Sequence, residues 1–173
     1  MTRMMFGASV LALSLTLLPM THAQAPAPAM EAFETGQWGA AESAASSATS
    51  DVDALILASE AALMPITLDQ AEGMSRRDRR EAALRAQEYA EAALALEPDN
   101  AEAHLRLAAG LGYQSRYVNK LRAVMMGLPQ QGRDHMIEAI RLDPSEPGGP
   151  AMLGAWHLEV VRRAGEGMFD ANE

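Results

Sequence analysis

The sequence predicts an all-α protein assembled from helical hairpins. Ala86, Ala90 and Ala93 recur four and three positions apart, so they share one face of a helix. No alternation of β-branched and polar residues indicates a strand, and only 5% of the 173 residues are aromatic. Small side chains on one face let a second helix approach closely. The pattern therefore favours antiparallel helices packed side by side.

The clearest helix–turn–helix unit spans residues 86–111. Pro98 has no amide hydrogen and disfavours helical geometry at Glu97, so the first helix is predicted to end there. Asp99 is predicted to cap the second helix, with Glu102 three positions later completing a capping-box-like pair. One such hairpin cannot bury its apolar stripe alone, which predicts further hairpins stacked on it.

A second copy of this unit lies downstream. Residues 139–144, which end in Asp-Pro, align with residues 93–98, which end in Glu-Pro, and Leu153-Gly154 follow the turn. The interval between the two prolines is longer than one ordinary repeat. The surplus is interpreted as a lengthened second helix followed by a loop over residues 127–132.

A weaker copy lies upstream. An apolar stripe over residues 33–41 indicates one helix, and Asp51 opens a second. A loop is predicted over residues 65–73, after which Ser75 caps the next helix with Asp78 three positions later. The chain is therefore predicted to contain three helical hairpins in a row.

These spacings resemble the tetratricopeptide repeat, a helix–turn–helix unit of about 34 residues with small, aromatic and proline residues at fixed offsets. The positions that carry the resemblance are Ala86, Ala90, Ala93, Pro98, Leu107, Ala139, Pro144, Leu153 and Gly154. The resemblance implies a tetratricopeptide-like α-solenoid of about three hairpins. It also favours protein binding over catalysis, because such repeats mostly bind other proteins.

The C-terminal part has a narrower resemblance to the repeat region of the regulator of microtubule dynamics family. It is carried by residues 132–144 and by residues 153–160, in which a tryptophan and Glu-Val follow the Asp-Pro turn. This implies shared architecture, and no microtubule role is expected of an exported chain of bacterial type. Trp156 is interpreted as a core anchor. Trp156, Leu158 and Val161 are nevertheless expected to be partly uncovered, which favours self-association through the C-terminal helix or a missing continuation of the chain.

The N-terminus predicts export. Arg3 precedes a short apolar run that ends in Thr-His-Ala, a pattern typical of a signal peptide cleaved after Ala23. The run is short for roughly 30 Å of hydrocarbon, so removal is favoured over a permanent anchor. The predicted organisation is a signal peptide over residues 1–23, an extended Ala/Pro tether over 24–30 and a repeat domain over 31–168. The predicted location is the periplasm.

Charge restricts the expected partners. Asp and Glu number 23 against 14 Lys and Arg, giving a net charge of −9. Such a protein is not expected to bind nucleic acid or anionic lipid as a whole, or to insert stably into a membrane after signal cleavage. A basic cluster over residues 76–80 is either a contact for an acidic partner or, as we favour, a solvated helix face paired with nearby carboxylates.

No residue pattern predicts catalysis, a metal or a cofactor. His104, His135 and His157 do not lie at metal-ligand spacing, and His104 and His157 occupy repeat positions where aromatic residues pack. Cysteine is absent, which rules out a disulfide framework. Two alternatives stay open: a metal- or cofactor-binding helical protein that uses these histidines, and an oligomerising structural subunit.

The favoured interpretation is a non-catalytic adaptor of the cell envelope that binds a peptide or protein segment in a helix-lined groove. In the tetratricopeptide family, the first helix of each hairpin lines the concave face. The family counts as first the helix that begins after the proline turn. Carried over to the helix that follows Pro98, the resemblance implies groove positions at Glu102, Leu105, Arg106, Ala109, Gly112, Tyr113 and Arg116.

Overall fold

The computed structural model describes residues 25–68 and 70–169, and every regular element in these two ranges is a helix. The helices are α1 (Ala27–Glu34), α2 (Trp38–Ser46), α3 (Val52–Thr67), α4 (Arg76–Leu96), α5 (Ala101–Tyr117), α6 (Lys120–Met125), α7 (Leu128–Leu142) and α8 (Gly148–Phe169). The predicted all-α class is confirmed. None of these helices is long and apolar enough to cross a bilayer. The predicted signal peptide over residues 1–23 lies outside the described ranges.

The helices form a repeat-like stack. From α1 to α5 each helix packs against the next along the chain, and α5 then packs against α7, with α6 inserted between them. α3 also contacts both α1 and α5, so these three helices lie in one row. The second row consists of α2, which contacts α1 and α3, of α4, which contacts α3 and α5, and of α7, which contacts α5 and α8. α8 packs on α7 and completes an all-α helical-repeat fold.

Alanines line the contacts between the rows, as the sequence predicts. Ala86, Ala90 and Ala93 of α4 are fully buried. The hydroxyl of Ser59 on α3 donates a hydrogen bond of 2.7 Å to the carbonyl oxygen of Ala86. Burying a hydroxyl costs free energy unless it finds a hydrogen-bond partner. Because Ser59 has one, this polar side chain can lie inside an apolar interface.

The two Xaa-Pro turns are equivalent in structure. α4 ends at Glu97 with φ −131° and ψ 87°, and α7 ends at Asp143 with φ −133° and ψ 89°. The amide of each residue donates a hydrogen bond of 2.9 Å to the carbonyl oxygen of an alanine four positions earlier. Pro98 and Pro144 therefore mark the same bend in successive repeats.

The cap of α4 is confirmed and that of α5 is wrong by one residue. Ser75 Oγ accepts from the Asp78 amide at 3.1 Å, and Asp78 Oδ2 accepts from the Ser75 amide at 2.9 Å. At α5 the cap is Asn100, whose Oδ1 accepts from the Ala103 amide at 3.0 Å. Asp99 lies one position too early to be the cap. The capping residue directly precedes the helix in an extended conformation, and its side chain accepts from the amide three positions later.

Three predicted boundaries differ from the structure. The stripe over residues 33–41 is not one helix, because Gly36 has a φ of 75° and separates α1 from α2. The loop predicted over 65–73 begins later, since α3 continues through Pro65 to Thr67 and is held by packing against its neighbours. The tether predicted as extended over 24–30 is wrong from Ala27 onwards, where α1 begins and Pro28 lies in its first turn.

The connection between the last two repeats also differs. The prediction was one lengthened helix and a loop over residues 127–132, whereas α5 ends at Tyr117 and a separate helix, α6, follows. Asn119 starts α6 by accepting a hydrogen bond from the Arg122 amide at 2.7 Å. The predicted loop is the first turn of α7, where Pro129 is well tolerated because the early amides of a helix need no intrahelical partner.

Candidate functional site

An open groove of about 310 Å³ lies between α5, α7 and α8. Its walls are mostly apolar, and α7 forms its floor between the two other helices. The lining residues are Ala108, Ala109, Gly112, Tyr113, Ser115 and Arg116 of α5, Leu128, Pro129, Gly132 and Met136 of α7, and Met152, Ala155, Trp156, Glu159 and Val160 of α8. Its volume lies at the lower end of the range of roughly 300–1,000 Å³ found for ligand pockets.

The structure brings part of the predicted groove set together. The predicted positions that line the groove are Ala109, Gly112, Tyr113 and Arg116. Leu105 does not line it, because its side chain is buried in the core. Arg106 forms ion pairs with Glu102 and, at 3.2 Å, with Glu60 of α3, so these charges link α5 to α3 within one row of the stack instead of lining the groove.

The α5 wall is organised around Tyr113. Its hydroxyl lies 3.0 Å from the hydroxyl of Thr67 at the end of α3. The guanidinium of Arg116 stacks over the tyrosine ring, 5.0 Å from its centroid. A cation over an aromatic face is attracted by the ring quadrupole, so both side chains are held in place at the groove rim.

The α8 wall is organised around Trp156. Its indole N–H donates a hydrogen bond of 3.1 Å to the carbonyl oxygen of Pro129, which fixes the ring across the gap between α8 and α7. Glu159, one turn further along α8, pairs with Arg162 at 2.7 Å. Trp156 is only partly buried, as expected for a C-terminal helix that is not fully covered, and it forms a wall of the groove instead of a core anchor.

The predicted groove set omitted both the floor and the second wall. That set covers α5 alone, although Leu153-Gly154 match the Leu-Gly-x-x-Tyr element of the tetratricopeptide repeat and so place α8 in the equivalent position of the next repeat. Applying the same rule to α8 would have indicated its groove face. The floor residue Gly132 had conflicting signals, because it aligns with Ala86 of the first copy but also lies in the predicted loop over residues 127–132.

Two histidines that are distant in sequence form a pair. His104 Nδ1 lies 2.8 Å from His135 Nδ1, and His104 Nε2 lies 3.0 Å from the carbonyl oxygen of Pro98. Because a carbonyl only accepts, His104 carries its proton on Nε2 and its Nδ1 accepts from His135.

In residues 25–68 and 70–169, no group of three or more His, Cys, Asp or Glu side chains is positioned to hold a metal ion. His157 is exposed and contacts Trp156 edge to face, so the packing role predicted for it at a hairpin interface is wrong.

The His104–His135 pair predicts that the stability of the protein depends on pH. Burial and the neighbouring His104 lower the pKa of His135, with Asp134 partly opposing them. The unfolded chain therefore binds a proton more readily than the folded one below pH about 6.5. The contribution to stability is complete above that pH and is lost as the pH falls through the folded pKa. We expect thermal melting between pH 7.5 and 5.5 to show a decreasing melting temperature, and His135→Gln to flatten the decrease. His157→Gln is the control, and an equal effect of both substitutions would contradict this assignment.

The basic cluster over residues 76–80 has mainly structural contacts. Arg77 Nε pairs with Glu81 Oε1 at 2.8 Å, as predicted for a solvated helix face. Arg76 instead donates to the carbonyl oxygens of Tyr117 and Val118 at the end of α5, at 3.2 and 3.4 Å. A cation there complements the negative end of the helix dipole.

The fold and the groove together define a class of protein: an all-α helical-repeat protein with an open apolar cleft. A family model described as "Regulator of microtubule dynamics protein 1-3" matches residues 38–164. The match covers most of the chain, and the chain belongs to this family. It extends the resemblance noted in the C-terminal part across almost the whole helical stack. No curated protein matches the chain significantly.

Proposed function

We propose that this protein is a non-catalytic adaptor of the cell envelope that binds a short segment of another protein in the groove between α5, α7 and α8. The observation that supports the proposal best is the composition of that groove. Two aromatic side chains, Tyr113 and Trp156, are held in place on opposite walls, and Met136 and Met152 also line the groove. Aromatic residues and methionine are enriched at protein interfaces, and methionine adapts to ligands of different shape.

The dimensions of the groove favour a short segment anchored by a few apolar side chains. About 310 Å³ accommodates only a small part of a polypeptide. Arg116 on one wall and Glu159 on the other supply opposite charges that orient a bound segment. The location in the envelope rests on the predicted signal peptide.

The groove offers a direct test, because Gly112 has open space beside its α carbon. Gly112 also lines the groove, so Gly112→Trp is expected to place a bulky ring in it. We expect peptides enriched from a displayed random library on the native protein to bind this variant at least about tenfold more weakly, a loss of roughly 1.4 kcal/mol. Fluorescence anisotropy with labelled peptide measures the change.

The matched control is Gly154→Trp. Gly154 also lies in a helix with nothing near the added atom, but it does not line the groove. This variant should keep the native affinity, and thermal melting should show that both variants are folded. Failure to enrich any peptide, or equal affinity for the native protein and Gly112→Trp, would contradict the proposed function.

An oligomerising structural subunit is the second candidate. It is favoured by the outer face of α8, where Leu158 and Val161 are 74% and 70% exposed. Light scattering distinguishes the two candidates: the adaptor is expected to be a monomer that binds peptide, and the structural subunit an oligomer that Leu158→Ser disperses.

A further inference from the structure

The short helix α6 turns its largest side chains towards solvent. Leu121, Val124 and Met125 are 68%, 63% and 79% exposed, whereas Ala123 is 3% exposed. Positions i, i+3 and i+4 share one face of a helix, so the three large side chains form a continuous stripe and Ala123 lies on the opposite face. Soluble helices show the reverse arrangement, with small or polar residues outside and the apolar stripe inside.

Cations flank this stripe on both sides. Successive residues are about 100° apart around a helix, so Lys120 and Arg122 lie on either side of Leu121. In the part of the chain that the structure describes, neither side chain forms a salt bridge with a carboxylate. Residues 103–133 contain no Asp or Glu, although the chain as a whole carries 23 of them. The segment that contains α6 is thus basic, although the protein as a whole is acidic.

The position of α6 is held by the fold. Its inner residue Ala123 packs into a core cluster with Leu107, Leu111 and Leu128 of the neighbouring helices. Arg76 binds the carbonyl oxygens at the junction of α5 and α6, as described above. The stripe is therefore presented on a supported helix and need not fold when it meets a partner.

We propose that α6 is a peripheral membrane contact that inserts its apolar stripe at the headgroup boundary of an anionic bilayer. Lys120 and Arg122 then reach lipid phosphates while their aliphatic stems lie along the stripe. The two cations fit an anionic membrane surface, because each basic residue near such a leaflet adds to the electrostatic attraction between protein and membrane. The whole-chain expectation of no affinity for anionic lipid is thus reversed at this one patch.

The size of the patch favours a membrane over a protein partner. Three side chains offer on the order of a few hundred Å², against roughly 800 Å² per partner in a specific protein–protein interface. The stripe contains no aromatic residue, the type that dominates interface hot spots. This proposal is independent of the peptide groove, since none of the α6 residues lines it.

Vesicle flotation of the full chain tests the proposal. We compare vesicles of phosphatidylcholine alone with vesicles that contain 30% phosphatidylglycerol. Stronger binding to the anionic vesicles, weakening as salt is raised, is the expected result. The triple variant Leu121→Ser/Val124→Ser/Met125→Ser should lower the partition coefficient at least tenfold.

The control variant is Leu68→Ser/Leu96→Ser, which removes exposed apolar side chains from the C-terminal ends of α3 and α4. It should retain native partitioning, and melting curves should show that both variants are folded. An unchanged partition coefficient for the α6 variant, an equal loss in both variants, or no binding to either vesicle would overturn the proposal. Comparing variants of the same chain isolates α6 from any affinity of the apolar N-terminal run.

Discussion

Replacing Ala90 with leucine is expected to lower the free energy of unfolding by about 1–3 kcal/mol. Ala90 is fully buried where α4 meets Leu107 and Leu111 of α5, in the cluster that also contains Leu128 of α7. Three additional heavy atoms have no space there unless the helices separate, which breaks the contact between successive repeats. Chemical denaturation followed by circular dichroism measures the loss.

The control for this substitution is Ala95→Leu. Ala95 lies in the same helix but is exposed, and leucine has nearly the helix propensity of alanine. We expect its free energy of unfolding to stay within about 0.5 kcal/mol of the native value. If Ala90→Leu were equally neutral, close nesting of the alanine face would not be what holds α4 and α5 together.

The second large effect is expected for Gly110→Ala. An added β carbon would lie 2.7 Å from Gln87 Cγ and 3.3 Å from the carbonyl oxygen of Ala83, so α4 and α5 touch backbone to backbone at this point. Gln87 cannot move freely, since it is buried and its amide donates to the same Ala83 oxygen at 3.0 Å. Overpacking outweighs the gain in helix propensity, and we expect a net loss of about 1–2 kcal/mol.

Gly112→Ala, two residues away, is expected to change the free energy of unfolding in the opposite direction. Nothing lies within 4 Å of its added β carbon, so only the helix propensity changes. This variant should be more stable than the native protein by up to about 1 kcal/mol, as measured by the same denaturation series. Stabilisation by both substitutions would show that α4 and α5 are further apart than described here.

The repeat pattern was predictable because it depends on local geometry. The alanine face of α4 and the bends before Pro98 and Pro144 follow from side-chain size and from the missing amide of proline. Features that depend on packing were not predictable. Pro65 is tolerated within α3 because neighbouring helices hold that segment, and α6 forms because Asn119 caps it and Ala123 is buried in the core.

The predicted groove positions all lie on one helix, α5. Tyr113 and Arg116 were placed on it by their position in the repeat, and the structure puts them there. The second wall had a signal in the repeat alignment of Leu153-Gly154, but the width of the groove depends on how α8 docks on α7, which is a tertiary contact. The pairing of His104 with His135 has the same origin, since these two residues are brought together only when α7 packs against α5.

Site-specific photocrosslinking most directly tests the claim that the groove receives a segment of another protein. A benzophenone amino acid replaces Tyr113 in the cells that naturally produce the protein, and Glu88, exposed on α4 away from the groove, provides the control site. We predict an adduct of defined mass from position 113 that disappears when Gly112→Trp fills the groove. No adduct at position 113, or the same adducts from both positions, would contradict the account.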